Sequence, residues 1–299
     1  MTDVEGLVRS GLITRDVPLG PMTTYKAGGP AAYFAEVSEV EELEKLVASG
    51  LTTRHEVLVI GRGSNLVVAD AGFDGLVVKL AGAFTSITIE GDRVRAGGAA
   101  PLPRLARQAV EAGVVGLEFF VGIPGSVGGA VRQNAGCFGT ETRDRLLSAE
   151  IIDLITGDRT RRTPEDLELS YRHSNLRPSE LVTGATFQGR IGDREAAKAE
   201  MREITRWRKE HQPGGTLNAG SVFKNPPDIA AGELIDRLGL KGTTVGDVSV
   251  SERHANFFVA GPDATADDIY RLVQQVKDAV FERSGTMLGP EIQFVGFER

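Results

Sequence analysis

Residues 116–139, GLEFFVGIPGSVGGAVRQNAGCFG, carry seven glycines in 24 positions, several times the usual frequency of roughly 7%. Glycine at that density means either a floppy linker or a backbone that passes close to something with φ > 0. Linkers lack large apolar side chains, whereas Phe119, Phe120, Val121, Ile123, Val127, Val131 and Phe138 interleave with these glycines. The segment is therefore packed. Its only charges are Glu118 and Arg132, so the turn offers many bare N–H groups to an anion. A tight loop–helix junction inside a core explains the pattern equally well, and a phosphate site needs support from elsewhere in the chain.

At 299 residues the chain exceeds what one core usually organises, so two or more domains are expected. The net charge of −7 argues against a general nucleic-acid binder, which carries a basic stripe. An anionic ligand must then be held by a local arrangement. Cys137 is the only cysteine, which excludes internal disulfides and cysteine-based zinc sites. His55, His173, His211 and His254 lie far apart without an HxxxH pair, so no metal site is expected. The opening MTDVEGLVRSGL has no apolar h-region, and no run approaches ~18 apolar residues. The expectation is a soluble, cytoplasmic protein with no membrane partner.

Pro18, Pro21, Gly28, Gly29 and Pro30 make residues 1–35 a series of turns around short extended pieces. Ser38 and Glu41 form a capping-box pattern that opens a helix to about residue 49. A buried strand at 57–60 runs into GRGSNLVVADAGFDG, residues 61–75. Gly61 and Gly63 suit the start of a dinucleotide fingerprint, but Leu66 occupies its third glycine position and strand-like residues 66–68 follow at once. A Rossmann assignment fails, leaving a strand–turn–strand whose Ser64, Asn65 and amides could hold a pyrophosphate. A hairpin is expected at 85–97, helices at 101–112, 195–211, 228–238 and 266–284, and strands near 149–155, 181–188, 248–251, 256–259 and 291–297. Thr265 and Asp268 cap the last helix. The class is α+β, with a change from strands and glycines to helices near 190–200.

Three further stretches place reactive groups in unusual company. Arg172 lies in YRHS (171–174), where a buried guanidinium would suit a carboxylate or phosphate. Ser221 lies in NAGSVFKNP (218–226), which is not a G-x-S-x-G elbow because Phe223 breaks the pattern. Glu291 lies in GPEIQF (289–294) at the start of a terminal strand. Each has an ordinary explanation: a solvated charge, a turn serine, an exposed acid.

Their order along the chain is more specific than any one of them. With MTTYKAGGPA (22–31), AGELIDRLGLKG (231–242) and VSERHANFFV (250–259), these motifs span nearly the whole chain. The sequence thereby resembles the UDP-N-acetylenolpyruvoylglucosamine reductase family, flavoenzymes of peptidoglycan precursor synthesis. The short interval between Arg172 and Arg206 resembles the branch that lacks a long substrate-closing loop with its tyrosine.

The resemblance implies a PCMH-type (vanillyl-alcohol-oxidase-like) FAD-binding fold plus a C-terminal α+β substrate domain. It places an N-terminal segment at 1–27, the FAD-binding domain at 28–190 with subdomains at about 28–82 and 83–190, and the substrate domain at 191–299. Non-covalent FAD would lie against Gly61, Arg62, Gly63, Ser64, Asn65, Gly122, Ile123, Pro124, Gly125, Ser126, Gly128, Gly129, Asn134, Ala135 and Gly136. NADPH would supply the hydride, and the substrate would be a UDP-sugar enolpyruvate, handled by a monomer. Arg172 matches the arginine beside the substrate carboxylate, Glu291 the glutamate next to it, and Ser221 the proton donor to C2. Tyr171, Asn225 and His211 match substrate contacts, His211 standing where the family commonly has lysine. Gln133 replaces a frequent methionine, and Cys137 is read as a small hydrophobe. Two other classes compete: an oxidase on the same flavin fold, and a nucleotide-sugar binding protein without catalysis, against which Arg172, Ser221 and Glu291 argue.

Overall fold

Along Arg93–Gly97 exposed and buried residues alternate, the period of two that gives a strand one face for the core. The computed structural model, which describes residues 4–297, divides into two compact units. The first comprises residues 1–15, 33–61 and 75–207; the second comprises 16–32, 62–74 and 208–299.

The first unit holds a five-stranded antiparallel sheet in the order Arg159–Arg162, Leu146–Asp153, Glu180–Gln188, Arg93–Gly97, Ile87–Glu90. Val94, Ala96, Ala149, Ile151, Ala185 and Phe187 form its buried face. The helix Leu102–Glu111 lays Leu102, Leu105, Ala106, Ala109 and Val110 on that core. Fully burying a Leu or Val contributes about 1.5–3 kcal/mol. Phe119, Phe120, Val127, Ala130 and Val131 of the glycine-rich segment join the same core, and Phe120 meets Phe187 edge-on at 5.2 Å. The segment is packed, as its apolar content predicts.

A four-stranded sheet orders Thr14–Pro18, Pro30–Val37, Phe73–Leu80 and Val57–Ile60, the last pair parallel. Leu43 and Leu46 of the helix Val40–Ala48, with Leu51, share a core with its Leu76, Val78 and Leu80. That helix is boxed by Glu39 and Glu42, one residue later than Ser38 and Glu41. The Glu42 carboxylate accepts from both the Ser38 N–H (2.6 Å) and the Glu39 N–H (3.2 Å). Within residues 1–35 the expected extended pieces appear as Thr14–Pro18 and the start of Pro30–Val37, and the helix Val4–Arg9 is an addition to that reading.

The second unit is built on the helix Ala266–Ser284, whose Ile269, Leu272, Val273, Val276 and Val280 face Val248, Val250 and Phe258 of the sheet formed by Thr244–Val245, Val248–Val250 and Phe258–Ala260. Thr265 and Asp268 box its N-terminus as the sequence predicts. A second cap comes from far away: Asp70 accepts N–H bonds from Ala266 (3.1 Å) and Asp267 (2.9 Å). Gln293–Val295 pairs in parallel with Leu66–Val68. The hairpin, the helices Leu102–Glu111, Arg194–His211 and Ala231–Arg237, and the strands from Leu146 and Glu180 all occur close to their predicted places.

In the first unit Glu180, buried at the start of its strand, accepts from the Arg177 N–H (2.7 Å), the Arg177 guanidinium (3.0 Å) and Arg162. Burial opposes its charge, but these donors outweigh it and hold the carboxyl down at about 2, against an ordinary 4.5. A depressed carboxyl stabilises the fold fully above its unfolded value and loses that contribution as pH falls through its folded one. Glu180→Gln should cost about 3 kcal/mol at neutral pH, because it leaves Arg162 without its counter-charge. Urea unfolding should show that gap narrowing as pH drops from 4.5 towards 2; a gap independent of pH would refute the account.

Candidate active site

The glycine-rich segment supplies the first part of the site. It runs as a 3₁₀ turn, Glu118–Gly122, then the helix Val127–Gln133, then a two-strand hairpin of Gly136–Cys137 and Thr140–Glu141. The hairpin loop is Phe138 and Gly139, at φ 52° and 78°, the left-handed pair that suits tight hairpins. Phe138 is half exposed and meets Trp207 edge-on at 5.2 Å. Cys137 packs partly against the core. Both charges of the segment are used internally. Glu118 accepts from the Gly116 N–H (2.7 Å), and Arg132 donates to the carbonyls of Leu176, Arg177 and Glu180.

Backbone closeness explains the glycines. Gly128 N–H donates to Gly98 O at 2.8 Å and Val127 N–H to Ala100 O at 3.0 Å, so the helix start sits on the end of the sheet. Ser126 precedes that helix without a side-chain capping bond. A Cβ on Gly61 would stand 2.7 Å from Ser126 Oγ. In the second unit Gly63 has φ 59°, and a Cβ there would stand 2.2 Å from Met22 O. Arg62 is exposed, and Ser64 is partly so. Small residues, an uncommitted hydroxyl and a helix start are the groups that suit a diphosphate.

Asn134, wholly buried and left-handed at φ 41°, closes the glycine-rich helix. Its amide donates to Glu141 Oε2 (2.9 Å) and Ser170 O (3.0 Å), and its oxygen accepts from Arg143 N (2.9 Å). Ser170 O is half of a tight bridge: His173 N–H donates to it at 3.0 Å, and Ser170 N–H donates to His173 O at 3.2 Å. Between them Arg172 takes φ 51°. Its guanidinium lies 4.9 Å from the centre of the Tyr171 ring and 3.9 Å from Glu141 Oε1. A bulky residue held at positive φ costs on the order of 1–3 kcal/mol and persists only where its surroundings impose it.

In the second unit three predicted stretches are interlaced. Glu291 N–H donates to Val222 O at 2.7 Å, and Asn65 Nδ2 donates to Glu291 O at 2.9 Å. Ser221 bridges Phe257, while Asn256 bonds both Phe223 N–H (2.9 Å) and Phe223 O (2.8 Å). Ser221, Glu291 and Asn65 thus belong to one scaffold. Asn225 Oδ1 accepts from Ala231 N–H at 3.0 Å and fixes the start of the helix Ala231–Arg237. His211 is exposed at the end of its helix, whose last carbonyls, Lys209 and Gln212, accept from Arg253.

The chain is similar to known proteins over nearly its whole length. Residues 31–161 match the family model described as FAD binding domain, and residues 212–295 match the one described as UDP-N-acetylenolpyruvoylglucosamine reductase, C-terminal domain. A reductase of that name from Methylorubrum extorquens is 43% identical over 96% of this chain and 93% of its own. The chain belongs to the UDP-N-acetylenolpyruvoylglucosamine reductase family. The reductase of Erythrobacter litoralis is 40% identical over 98% of this chain and 90% of its own. The crystal structure of the Thermus caldophilus reductase superposes with a TM-score of 0.83 at 37% identity, covering 95% of this chain and 98% of that one. Likeness to 6-hydroxy-D-nicotine oxidase from Arthrobacter nicotinovorans (TM-score 0.52, 14% identity) concerns the fold alone. The reductase chain is an FAD-dependent oxidoreductase with a PCMH-type FAD-binding fold and a C-terminal domain.

Among the described residues of this reductase, no helix is long and apolar enough to cross a membrane. A separate cavity of about 610 Å³ opens beside Leu43, Phe84, Arg95, Glu150 and Arg161 and is lined by none of the predicted site residues. Sequence reasoning missed Glu141 and Ser170, the groups that bind Asn134 and flank Arg172. The one local hint was an acid two residues after Gly139. Asn134→Ala should lower stability by about 1–2 kcal/mol, since it leaves the part-buried Arg143 N–H and Ser170 carbonyl without their buried partner. Chemical denaturation measures this, and a loss below about 0.5 kcal/mol, the level of a surface change, would contradict it.

Proposed function

We propose that this chain reduces UDP-N-acetylglucosamine enolpyruvate to UDP-N-acetylmuramate in peptidoglycan precursor synthesis, with NADPH as the hydride donor. The observation that carries this reading is the direct bond from Glu291 N–H to Val222 O, which sets the Glu291 and Ser221 stretches side by side. When bound, FAD would supply hydride transfer between NADPH and the enolpyruvyl group. Gly61, Ser64, Asn65, Ser126 and the backbone through Gly122, Gly125, Gly128 and Gly129 would hold its diphosphate without a covalent link.

Hydride addition to an enol ether leaves negative charge on C2, which must spread into the neighbouring carboxylate. A fixed cation there lowers the barrier, and Arg172 has the planar fork for that task. Glu291 serves as a protonated or hydrogen-bonding partner, since a bare carboxylate beside the substrate's own would repel it. Ser221 gives the proton to C2. Its hydroxyl is a weak acid, so placement counts for more than acidity. Tyr171, Asn225 and His211 contact the nucleotide substrate.

Ser221→Ala should leave flavin reduction by NADPH within about twofold and slow reoxidation by the enolpyruvyl nucleotide at least about 100-fold. Stopped-flow absorbance separates the two steps, and unchanged reoxidation would remove Ser221 from the role. Arg172→Lys should slow reoxidation by about 100-fold as well, because an ammonium cannot grip a carboxylate with two parallel bonds. Near-normal turnover in that variant would contradict the assignment.

A further inference from the structure

Arg172 is held by its own backbone turn, by a neighbouring ring and by a carboxylate. The Ser170–His173 bridge fixes its backbone at φ 51°, and the Tyr171 ring lies 4.9 Å from its guanidinium carbon. Glu141 approaches its edge at 3.9 Å, with side chains of the two residues 20% and 18% exposed respectively. That distance is too long for a tight two-point pair, which runs at roughly 2.7–2.9 Å. Glu141 therefore attracts the guanidinium without closing on it.

The other end of Glu141 is fixed. Its Oε2 accepts from Asn134 Nδ2 (2.9 Å) and lies 3.1 Å from Arg143 Nε. Its backbone N–H donates to Asp144 Oδ2 at 2.8 Å, locking the turn Thr142–Asp144. Asn134 grips Ser170 O at the same time. One buried amide thus sets the positions of both the carboxylate beside Arg172 and the turn that carries Arg172. We infer that Glu141 is a positioning residue for Arg172, aiming its guanidinium at the substrate carboxylate through a rigid Asn134–Glu141 frame. This rests on the reading of Arg172 given above.

The role differs from simple bracing. A brace would affect folding and flavin retention, whereas an aiming group acts on the one step in which Arg172 meets the substrate. Misplacing a catalytic group by about 1 Å can cost on the order of 100-fold in rate. Glu141→Gln keeps an acceptor for Asn134 and removes a charge that draws Arg172. Glu141→Asp keeps the charge but withdraws it by one methylene.

The test uses the FAD-loaded protein, with wild type, Glu141→Gln, Glu141→Asp, Arg172→Ala and the Glu141→Gln/Arg172→Ala pair. The expected result is that both Glu141 variants keep FAD affinity and NADPH-driven reduction within about twofold while reoxidation slows by about 30- to 100-fold. Calorimetric titration with UDP-N-acetylmuramate, which carries the product carboxylate, should show weaker binding in Glu141→Gln. The double variant should reoxidise no more slowly than Arg172→Ala alone, because Glu141 then has nothing to aim. Normal reoxidation in the Glu141 variants, with Arg172→Ala strongly impaired, would overturn this inference and leave the Arg172 assignment standing. Normal reoxidation in Arg172→Ala would instead overturn the assignment itself. If Glu141→Gln loses FAD, the same readings on Glu141→Asp decide, and loss of FAD from both overturns positioning in favour of bracing.

Discussion

The guanidinium of Arg132 is the fastening on which much of the first unit depends. It donates to the carbonyls of Leu176, Arg177 and Glu180, while Ser174 Oγ donates back to Arg132 O at 2.7 Å. A seven-residue helix containing two glycines has neither the propensity nor the length to stand by itself. Tertiary bonds must hold it, and Arg132 supplies them from the helix's last turn. The loop that carries Tyr171 and Arg172 is thereby fixed to the same helix that begins at Ser126. The backbone proposed to face the flavin and the side chain proposed to face the substrate become parts of one rigid piece.

The regular elements were legible wherever local signals agreed. The Thr265–Asp268 capping box, the hairpin at 85–97 and the helix at 101–112 each have a local pattern, and each occurs close to its predicted place. Local reading failed where two candidates competed or where pairing was remote. Glu42 lies as well placed for Glu39 as Glu41 does for Ser38, and only the folded backbone selects between them. The strand Pro30–Val37 begins at the proline of a Gly-Gly-Pro run, and pairing with Phe73–Leu80 makes it longer than the local signal suggests. The cap that Asp70 places on Ala266 and Asp267 spans almost two hundred residues and leaves no periodic trace.

The site shows the same division. Arg172, Ser221 and Glu291 stood out because the order of motifs around them resembles a known family, not because their local chemistry demanded a role. The frame around Arg172 has no such signature. Asn134 sits in a motif already explained by glycine packing, and Glu141 looks like an ordinary acid at a hairpin end. Their importance comes from one buried carboxamide that serves Ser170, Glu141 and Arg143 together, a convergence that exists only in three dimensions.

The two units are threaded through each other in sequence, since the chain passes between their residue sets at 15/16, 32/33, 61/62, 74/75 and 207/208. The last segment alone lacks the strand Leu66–Val68 that pairs with Gln293–Val295, and it lacks Asp70 at the start of its longest helix. Neither unit can therefore be cut out as a continuous length of gene and keep its own sheet or caps. Exchanging the second unit between related chains would require three separate stretches to be exchanged at once.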